Sequence, residues 1–321
     1  LFRSILVNKK VSEAELSSTD LVPQKLDEFK TDVIEVGEIK FLNEDKNKKM
    51  EKENIKIKNN TKEINQFSRT GKIRPARPGI SIGHYKISAG TLGAVVKDKY
   101  SNDTVILSNN HVLANITSGK DGRARLGDPI LQPGKYDEGT NPDDVIASLY
   151  RFVPIKKGAD NKVTCPVAKA LEKIINVFLH LFRPDYNFKL YKQKINNIVD
   201  CAVAKPLDEQ DVDEDIVDIG KIKGVSSPEV AMEVRKSGRT TGLTKGRIRV
   251  VDTSVEVRLS QTEVAIFDEQ FITDPMSEPG DSGSLVVDKD NNAVGLLFAG
   301  YNEDTVSNDI NKVMDKLQIS I

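Results

Sequence analysis

The sequence is poor in cysteine, histidine and tryptophan. It has two cysteines, three histidines and no tryptophan among 321 residues. Two cysteines, Cys165 and Cys201, are too few for the disulfide framework of most small secreted domains, so we expect a cytoplasmic protein. Neither cysteine has a histidine or a second cysteine at zinc-ligand spacing. We therefore expect no metal and no other cofactor.

Excess charge of one sign and long apolar runs are also absent. The 47 Lys and Arg residues balance 48 Asp and Glu residues, which leaves a formal net charge of −1. This balance does not favour nucleic acid as a partner. No stretch reaches the roughly 18 apolar residues of a membrane-spanning helix, and the start has no signal-peptide pattern. We expect neither a membrane span nor a nucleic-acid partner.

The N-terminal quarter of the chain divides into two predicted parts. Residues 1–42 have β-prone ends around a short helical centre, which indicates a small β-α-β appendage. From Asn43 to Gln66 nearly every residue is Lys, Asn, Glu or Asp, without a regular apolar period. Such a composition favours a mobile chain, so residues 43–74 are predicted to be a charged flexible linker.

The rest of the chain is predicted to be mainly antiparallel β structure. Glycines and prolines punctuate short β-prone runs such as TVILSNNHV, GRIRVVDTSVEVRL, GSLVVD and AVGLLFAG. Their intervals suit barrels or sandwiches. Two β units are predicted, over residues 75–210 and 211–321.

Two segments interrupt the β pattern with helical spacing. Residues 166–182 begin with a proline at a helix-start position and are unusually apolar, within an insertion spanning 156–195. This helix is expected either to restrict access to a cleft or to join copies of the chain in a homo-oligomer. Residues 304–317 repeat apolar side chains at intervals of three and four, which predicts an amphipathic helix packed on the second β unit.

The run EPGDSGSLVV places a serine, Ser282, on a tight turn between two strands. A turn exposes the hydroxyl, and small neighbours allow backbone N–H groups to converge on the oxygen of an attacked carbonyl. Gly280 and Ser282 are the predicted donors of this oxyanion hole. The alternative is a plain glycine-rich hairpin turn, so the interpretation depends on finding a base and an acid.

Only three histidines are candidates for the base. His84 lies in a turn-rich segment and is interpreted as a surface or strand-start residue. His180 lies on the apolar helix, where a packed or interface role is expected. His111 ends the apolar strand of TVILSNNHVL beside polar residues, so it is the candidate base.

Asp200 is the candidate acid that orients the base. It lies in NNIVDCAVA, a short segment that is predicted to be buried, where an unpaired carboxylate is costly. Asp143 and Asp144 compete for the role, but they lie in a predicted exposed turn. The predicted triad is therefore His111, Asp200 and Ser282, in that chain order.

With SNNHVL, NNIVDCAVA and EPGDSGSLVV in this order, the chain resembles the bacterial trypsin-like serine peptidases of the chymotrypsin fold. The order excludes subtilisin-like enzymes and α/β-hydrolases, because their catalytic residues occur in other orders along the chain. The resemblance covers about residues 75–302. It implies two six-stranded antiparallel β-barrels with a cleft between them, His111 and Asp200 coming from the first and Ser282 from the second.

The resemblance also implies where substrate binds. The pocket for the residue before the cut would lie between 276–278 and 296–300, and its substrate-binding residues would be Met276, Glu278, Leu297, Phe298, Ala299 and Gly300. Met276 stands where trypsin has an aspartate, and Leu297 stands where glutamate-cleaving relatives have a histidine. An apolar or small side chain is therefore the expected specificity.

The sequence accordingly predicts a serine endopeptidase that makes limited cuts in a protein or peptide substrate, including its own Lys/Asn-rich linker. Two alternatives stay open. The fold could serve as a catalytically silent module that binds a protein, or the same triad could belong to a plain esterase. The disulfides of the digestive enzymes and an Ile/Val-Gly-Gly activation start are missing, so activation by insertion of a new N-terminus is not expected.

Overall fold

The computed structural model describes residues 2–7, 10–11, 25–26, 29–35, 37–41, 67–158, 165–190, 196–301 and 304–321. Strands dominate these residues, and they form one three-stranded sheet and two larger sheets. The predicted mainly β fold is confirmed.

The N-terminal sheet consists of β1 (Phe2–Val7), β2 (Lys25–Leu26) and β3 (Phe29–Glu35). Strand β1 runs parallel to β3, whereas β2 pairs with β3 in the antiparallel direction. The helical centre that the sequence predicts between them lies outside the described residues. Farther along, β4 (Lys40–Phe41) leaves this sheet and pairs with the second large sheet, although the sequence assigns residues 1–42 to a separate appendage.

The first large sheet is an antiparallel ring. Its strands are β5 (Ser81–His84), β6 (Gly90–Thr91), β7 (Ala94–Asp98), β8 (Thr104–Ser108), β9 (Pro129–Leu131), β10 (Val145–Phe152), β11 (Ala202–Pro206) and, from the other end of the chain, β19 (Ile319–Ser320). Strands β6 and β7 are halves of one bent run that is joined at Leu92–Gly93. The N–H of Leu92 donates to Ile80 O at 3.0 Å and that of Gly93 to Leu107 O at 2.9 Å, which closes the ring.

The second large sheet also closes. Its strands after β4 are β12 (Gly224–Val225), β13 (Glu233–Gly238), β14 (Gly242–Arg258), β15 (Val264–Thr273), β16 (Leu285–Asp288), β17 (Asn292–Tyr301) and β18 (Asp304–Asp309). The order is β17-β16-β13-β14-β15-β18, and β18 pairs again with β17. Two six-stranded barrels, as predicted, are thus present, and β4, β12 and β19 are additional strands at their edges.

The C-terminal helix is shorter than the sequence predicts. The helices are α1 (Asn110–Leu113), α2 (Pro166–Phe182) and α3 (Ile310–Leu317). The prediction of helix over 304–309 is wrong, because β18 forms ladders there with both β15 and β17, and this pairing outweighs the helical spacing. Asp309 then caps α3 by accepting from Asn311 N at 2.9 Å.

Helix α3 also packs differently from its prediction. Its buried residues, Ile310, Val313 and Leu317, share one core cluster with Val105 of the first barrel and Val287 of the second. The helix therefore joins the two barrels, whereas the sequence places it on the second barrel alone.

Helix α2 contributes no buried residue to either core. Seven of its apolar side chains are more than half exposed: Val167, Leu171, Ile174, Val177, Phe178, Leu181 and Phe182. Across the described part of the chain, no helix combines the length and apolarity needed to cross a membrane.

The end of the predicted linker is attached to the first barrel. Arg69 Nη1 donates to Gly79 O at 2.8 Å, Lys72 Nζ lies 2.9 Å from Asp144 Oδ1, and the N–H of Ile73 donates to a glutamine side chain at 3.0 Å. Residues 67–74 are therefore not a flexible linker, because polar contacts hold them. Residues 43–66 lie outside the described residues.

Candidate active site

His111 and Asp200 form a buried pair at the edge of the first barrel. His111 lies on α1, directly after β8, and Asp200 lies in the loop that enters β11. Asp200 Oδ2 is 2.5 Å from His111 Nδ1, and Asp200 Oδ1 accepts from the backbone N–H of His111 at 3.2 Å. Asp200 is fully buried and His111 is 3% exposed. Because one carboxylate holds both the ring and its backbone, the imidazole has a fixed orientation with Nε2 as its remaining nitrogen.

Two asparagines hold the backbone of Asp200. Asn109 Nδ2 donates to Asp200 O at 2.8 Å, and Asn308 Oδ1 accepts from Asp200 N at 2.9 Å. Asn308 belongs to β18, and its Nδ2 also donates to Leu296 O of β17 at 3.0 Å. The acid is thus tied to the second barrel as well as to the first.

Ser282 lies on the turn that leads from β15 into β16. Gly280 and Gly283, on its two sides, have φ angles of +98° and +95°, in a region that side chains rarely adopt. Strand β6 of the first barrel contacts this turn, because Thr91 N donates to Ser282 O at 2.7 Å and Thr91 Oγ1 donates to Gly280 O at 2.9 Å. The serine turn therefore lies where the two barrels meet.

These observations decide the architecture. Two closed six-stranded antiparallel barrels meet at a cleft, with the histidine and aspartate on the first and the serine turn on the second. The fold is chymotrypsin-like.

Solved structures of chymotrypsin-like bacterial serine proteases are similar to this chain in fold. Nocardiopsis protease (NAPase) is 13% identical, covering 76% of this chain and 98% of its own, with a TM-score of 0.47. Thermobifida fusca protease A gives the same four values. A glutamic-acid-specific serine protease is 12% identical, covering 77% of this chain and 100% of its own, also with a TM-score of 0.47. No family model and no curated protein matches the chain.

Within this chymotrypsin-like fold, the hydroxyl of Ser282 is hydrogen-bonded to the backbone and not to the histidine. Ser282 Oγ donates to Phe298 O at 3.2 Å. Among the described residues, His111 Nε2 is buried without a hydrogen-bond partner. A buried nitrogen without a partner carries a desolvation cost, which a hydrogen-bond donor placed at Nε2 would remove.

Some of the backbone N–H groups around Ser282 donate hydrogen bonds within the described part of the protein, and others do not. The N–H of Asp281 donates to Glu278 O, that of Gly283 to Leu297 O, and that of Ser284 to Asp281 O. Those of Gly280 and Ser282 donate to no atom of the described residues. These are the two donors that the sequence predicts for an oxyanion.

A buried ion pair holds the turn that carries Ser282. Asp281 Oδ2 lies 3.1 Å from Lys236 Nζ, and both side chains are fully buried. The same carboxylate accepts from the N–H groups of Thr240 at 2.9 Å, Thr241 at 3.1 Å and Glu278 at 3.0 Å. Burial lowers the pKa of Lys236 from its ordinary value, while the attraction of Asp281 opposes that shift.

The other titratable candidates are engaged elsewhere. His84 is fully buried, not a surface residue, and its Nε2 lies 3.1 Å from Asp128 Oδ2; burial lowers the pKa of this histidine. His180 is exposed on α2. Asp144 pairs with Lys72, and burial, together with Asp200, raises the pKa of the Cys201 thiol well above its ordinary value.

The structure separates the residues that the resemblance assigns to substrate binding. Met276 and Leu297 are buried in one core cluster of the second barrel, and Phe298 and Ala299 are buried in another. Glu278 is exposed beside the serine turn. Of this set, Ala299 and Gly300 are the residues of β17 that pair with β4.

Sequence reasoning missed three contributors to the site. Asn308 carries no local signal, and Lys236 carries only a weak one, because each acts through a partner distant in sequence. Phe41 was assigned to the appendage, yet its ring stacks on His111, with centroids 4.2 Å apart and planes at 18°. A hint was available for Lys236, since a lysine within the apolar-alternating strand VAMEVRKSG needs a buried partner.

Proposed function

We propose that this protein is a serine endopeptidase that works through an acyl-enzyme. Ser282 Oγ attacks the carbonyl of a peptide bond, His111 accepts its proton at Nε2 and later delivers it to the leaving amine, and Asp200 keeps the imidazole oriented. The N–H groups of Gly280 and Ser282 donate to the oxyanion. The substrate is a protein or peptide, cut at few positions.

The observation that carries the proposal is the 2.5 Å contact between Asp200 Oδ2 and His111 Nδ1. A fully buried carboxylate whose two oxygens engage one histidine supports a base with a fixed tautomer. The N–H groups of Gly280 and Ser282, which have no partner among the described residues, would stabilise the negative charge of the oxyanion. The buried pair of Lys236 and Asp281 holds the turn that carries them. A plain glycine-rich hairpin would require neither feature.

The test is acylation of Ser282 by a fluorophosphonate, followed by peptide mapping and a peptide-library cleavage profile. We expect a single labelled serine, which is lost in Ser282→Ala. Asp200→Asn should lower kcat by about 10³–10⁴-fold, because the imidazole then has the wrong tautomer.

Other outcomes select the alternatives. A folded protein that binds a partner but never acylates would be a silent binding module. Cleavage of small esters without cleavage of any library peptide would indicate an esterase.

We also propose that α2 joins two copies of the chain. The support is its row of exposed apolar side chains, which includes Ile174 and Phe178 at 55% and 62% exposure. Ile174→Glu combined with Phe178→Glu should convert a dimer into a monomer in size-exclusion chromatography with light scattering, whereas Lys173→Glu should not. A wild-type chain that is monomeric at every concentration would contradict this proposal.

A further inference from the structure

A strand from the chain's own N-terminal region covers the proposed active site. Strand β4 pairs with β17 in the antiparallel direction, with Phe41 opposite Ala299 and Lys40 opposite Gly300. On its other side, Ile39 O accepts from the N–H of Arg258 in β14 at 3.0 Å. Backbone pairing on both sides holds this segment extended against the second barrel.

The side chains of the segment fill apolar space beside the base. Phe41 is 6% exposed, stacks on His111, and meets the rings of Phe298 and Phe267 edge-on at 6.3 Å and 6.4 Å between centroids. Ile39 is buried in the same core cluster. Strand pairing supplies affinity for an extended peptide, and a buried aromatic ring adds apolar contact area and specificity.

Ion pairs of Glu38 also hold the segment against the second barrel. Glu38 forms ion pairs with Lys40, at 2.8 Å, and with Arg258 of β14. The hydrogen bond from Lys40 and the nearby Arg258 charge hold the pKa of Glu38 below its ordinary value. The carboxylate therefore stays ionised and joins the segment to the barrel.

We propose that residues 38–41 occupy the cleft as a substrate does, so that the intact chain inhibits itself and is its own first substrate. This inference rests on the proposed function. It also names a substrate class: an extended strand that places an aromatic ring on the imidazole of His111, one residue before the residue whose carbonyl is attacked.

The sequence that follows the paired segment identifies the bond to be cut. Phe41 pairs with Ala299 of β17, next to Phe298, whose carbonyl accepts from Ser282 Oγ. The residue after Phe41 in sequence is Leu42, whose side chain is apolar, as the expected specificity requires. The bond proposed for cleavage is therefore Leu42–Asn43, with an apolar side chain before the cut and the Lys/Asn-rich segment after it.

The reaction is an ordinary hydrolysis. A bond forms between Ser282 Oγ and the Leu42 carbonyl carbon, and the C–N bond to Asn43 breaks. The hydroxyl proton passes through His111 Nε2 to the departing amine. Water then replaces Ser282 on the acyl group and leaves a carboxylate on Leu42, so no other reactant is required.

Cleavage is tested by mapping the N-termini of the purified full chain. We expect a fragment that begins at Asn43 in the wild type. It should be absent from Ser282→Ala and from Asn43→Pro, and it should persist in the matched control Asn59→Pro. A chain that stays intact, or that is cut only elsewhere, while a fluorophosphonate labels Ser282 would overturn the cleavage while leaving the proposed function in place.

Inhibition is tested by the rate of fluorophosphonate labelling in the uncut Asn43→Pro chain. Phe41→Ala should raise this rate at least about tenfold, because the ring covering His111 is gone. Tyr100→Ala, which removes a ring that is 76% exposed, should leave the rate unchanged. Circular dichroism of each variant confirms folding.

The two possible failures are distinguishable. Equal labelling rates with and without the Phe41 ring would overturn self-inhibition, although the serine is reactive. No labelling in any folded variant, the Phe41→Ala chain included, would overturn the proposed function and this inference with it.

Discussion

Single residues in this protein act through partners far away in sequence. Lys236 is an example, because its ammonium group is fully buried and lies 3.1 Å from Asp281 Oδ2, next to the proposed nucleophile. The carboxylate of Asp281 also gathers several backbone N–H groups of the surrounding loop. The ion pair thus sets the shape of the serine turn without touching a substrate.

We predict that Lys236→Met destabilises the fold by about 3–5 kcal/mol, because the buried Asp281 carboxylate loses its counterion. It should also abolish labelling of Ser282 at temperatures where the variant is still folded, whereas Lys236→Arg should retain part of the labelling. Urea unfolding and fluorophosphonate kinetics measure the two effects. The exposed Lys245→Met should change the free energy of unfolding by less than about 0.5 kcal/mol, and equal behaviour of the two Met variants would refute this role for the ion pair.

The burial of His84 shows what a short window of sequence cannot predict. The sequence pattern distinguishes His111 from His84 by the apolar strand that precedes His111, and it predicts His84 to be a surface or strand-start residue. The fold buries His84 instead, because it ends β5, a strand of the first barrel, and Asp128 is available as a partner. Burial of a polar group depends on such a distant partner, so a local window cannot predict it.

At the scale of elements, strand pairing overrides helical periodicity in one place, and polar side-chain contacts override a loop-like composition in another. Residues 304–309 have helical spacing, yet two neighbouring strands recruit them into a ladder. Residues 67–74 follow a highly charged run, yet Lys72 and its neighbours are bound to the first barrel. In both cases the deciding contacts come from elements that are far away in sequence.

The contact of Lys72 with Asp144 leads to a pH-dependent prediction. Hydrogen bonds from Lys72 and from the N–H of Thr140 lower the pKa of Asp144 to about 2. A carboxyl group with a lowered folded-state pKa stabilises the fold above its unfolded pKa of about 3.9, and this stability is lost as the pH falls through about 2. Asp144→Asn should therefore cost about 1 kcal/mol at pH 7, after allowance for solvent screening.

The measurement is urea unfolding of the wild type and of Asp144→Asn between pH 7 and pH 2. The difference between them should shrink below about pH 4, in the window set by the two pKa values. Asp143→Asn, in the adjacent exposed position, is the matched control and should show no such window. A difference that is independent of pH would contradict the ion pair as its cause.

At the scale of the whole molecule, the two barrels approach so closely that a glycine is required between them. A Cβ on Gly283 would lie 2.1 Å from Ser108 Oγ and 2.3 Å from Thr91 O, both in the first barrel, and the φ of this glycine is +95°. Strand β6, Asn308 and helix α3 add further contacts between the barrels. The active-site geometry therefore depends on how the barrels dock.

We predict that Gly283→Ala costs about 3 kcal/mol and slows labelling of Ser282, because its methyl group would push the barrels apart at the serine turn. Gly122→Ala is the matched control. It has a φ of +68° and nothing within 4 Å of the added Cβ, so only backbone strain of about 1 kcal/mol is expected. Urea unfolding compares the two, and equal costs would show that the barrels tolerate the methyl group.

The sequence by itself determined the β class, the two-barrel division, the inserted helix and the identity of the serine and histidine candidates. These features depend on local periodicity, on turn residues and on the order of short motifs, all of which can be read within a few neighbouring residues. The close approach of His111 to Asp200 was a hypothesis from burial, and the pairing distance came only from the fold.

Tertiary structure alone decided what surrounds the three residues of the proposed triad. The ion pair of Lys236 with Asp281, the contact of Asn308 with Asp200 and the stacking of Phe41 on His111 each join residues that lie in different elements. Local sequence encodes backbone preference and amphipathic pattern, whereas these contacts depend on barrel closure and strand register. For that reason a segment read as part of an appendage became the strand that covers the cleft.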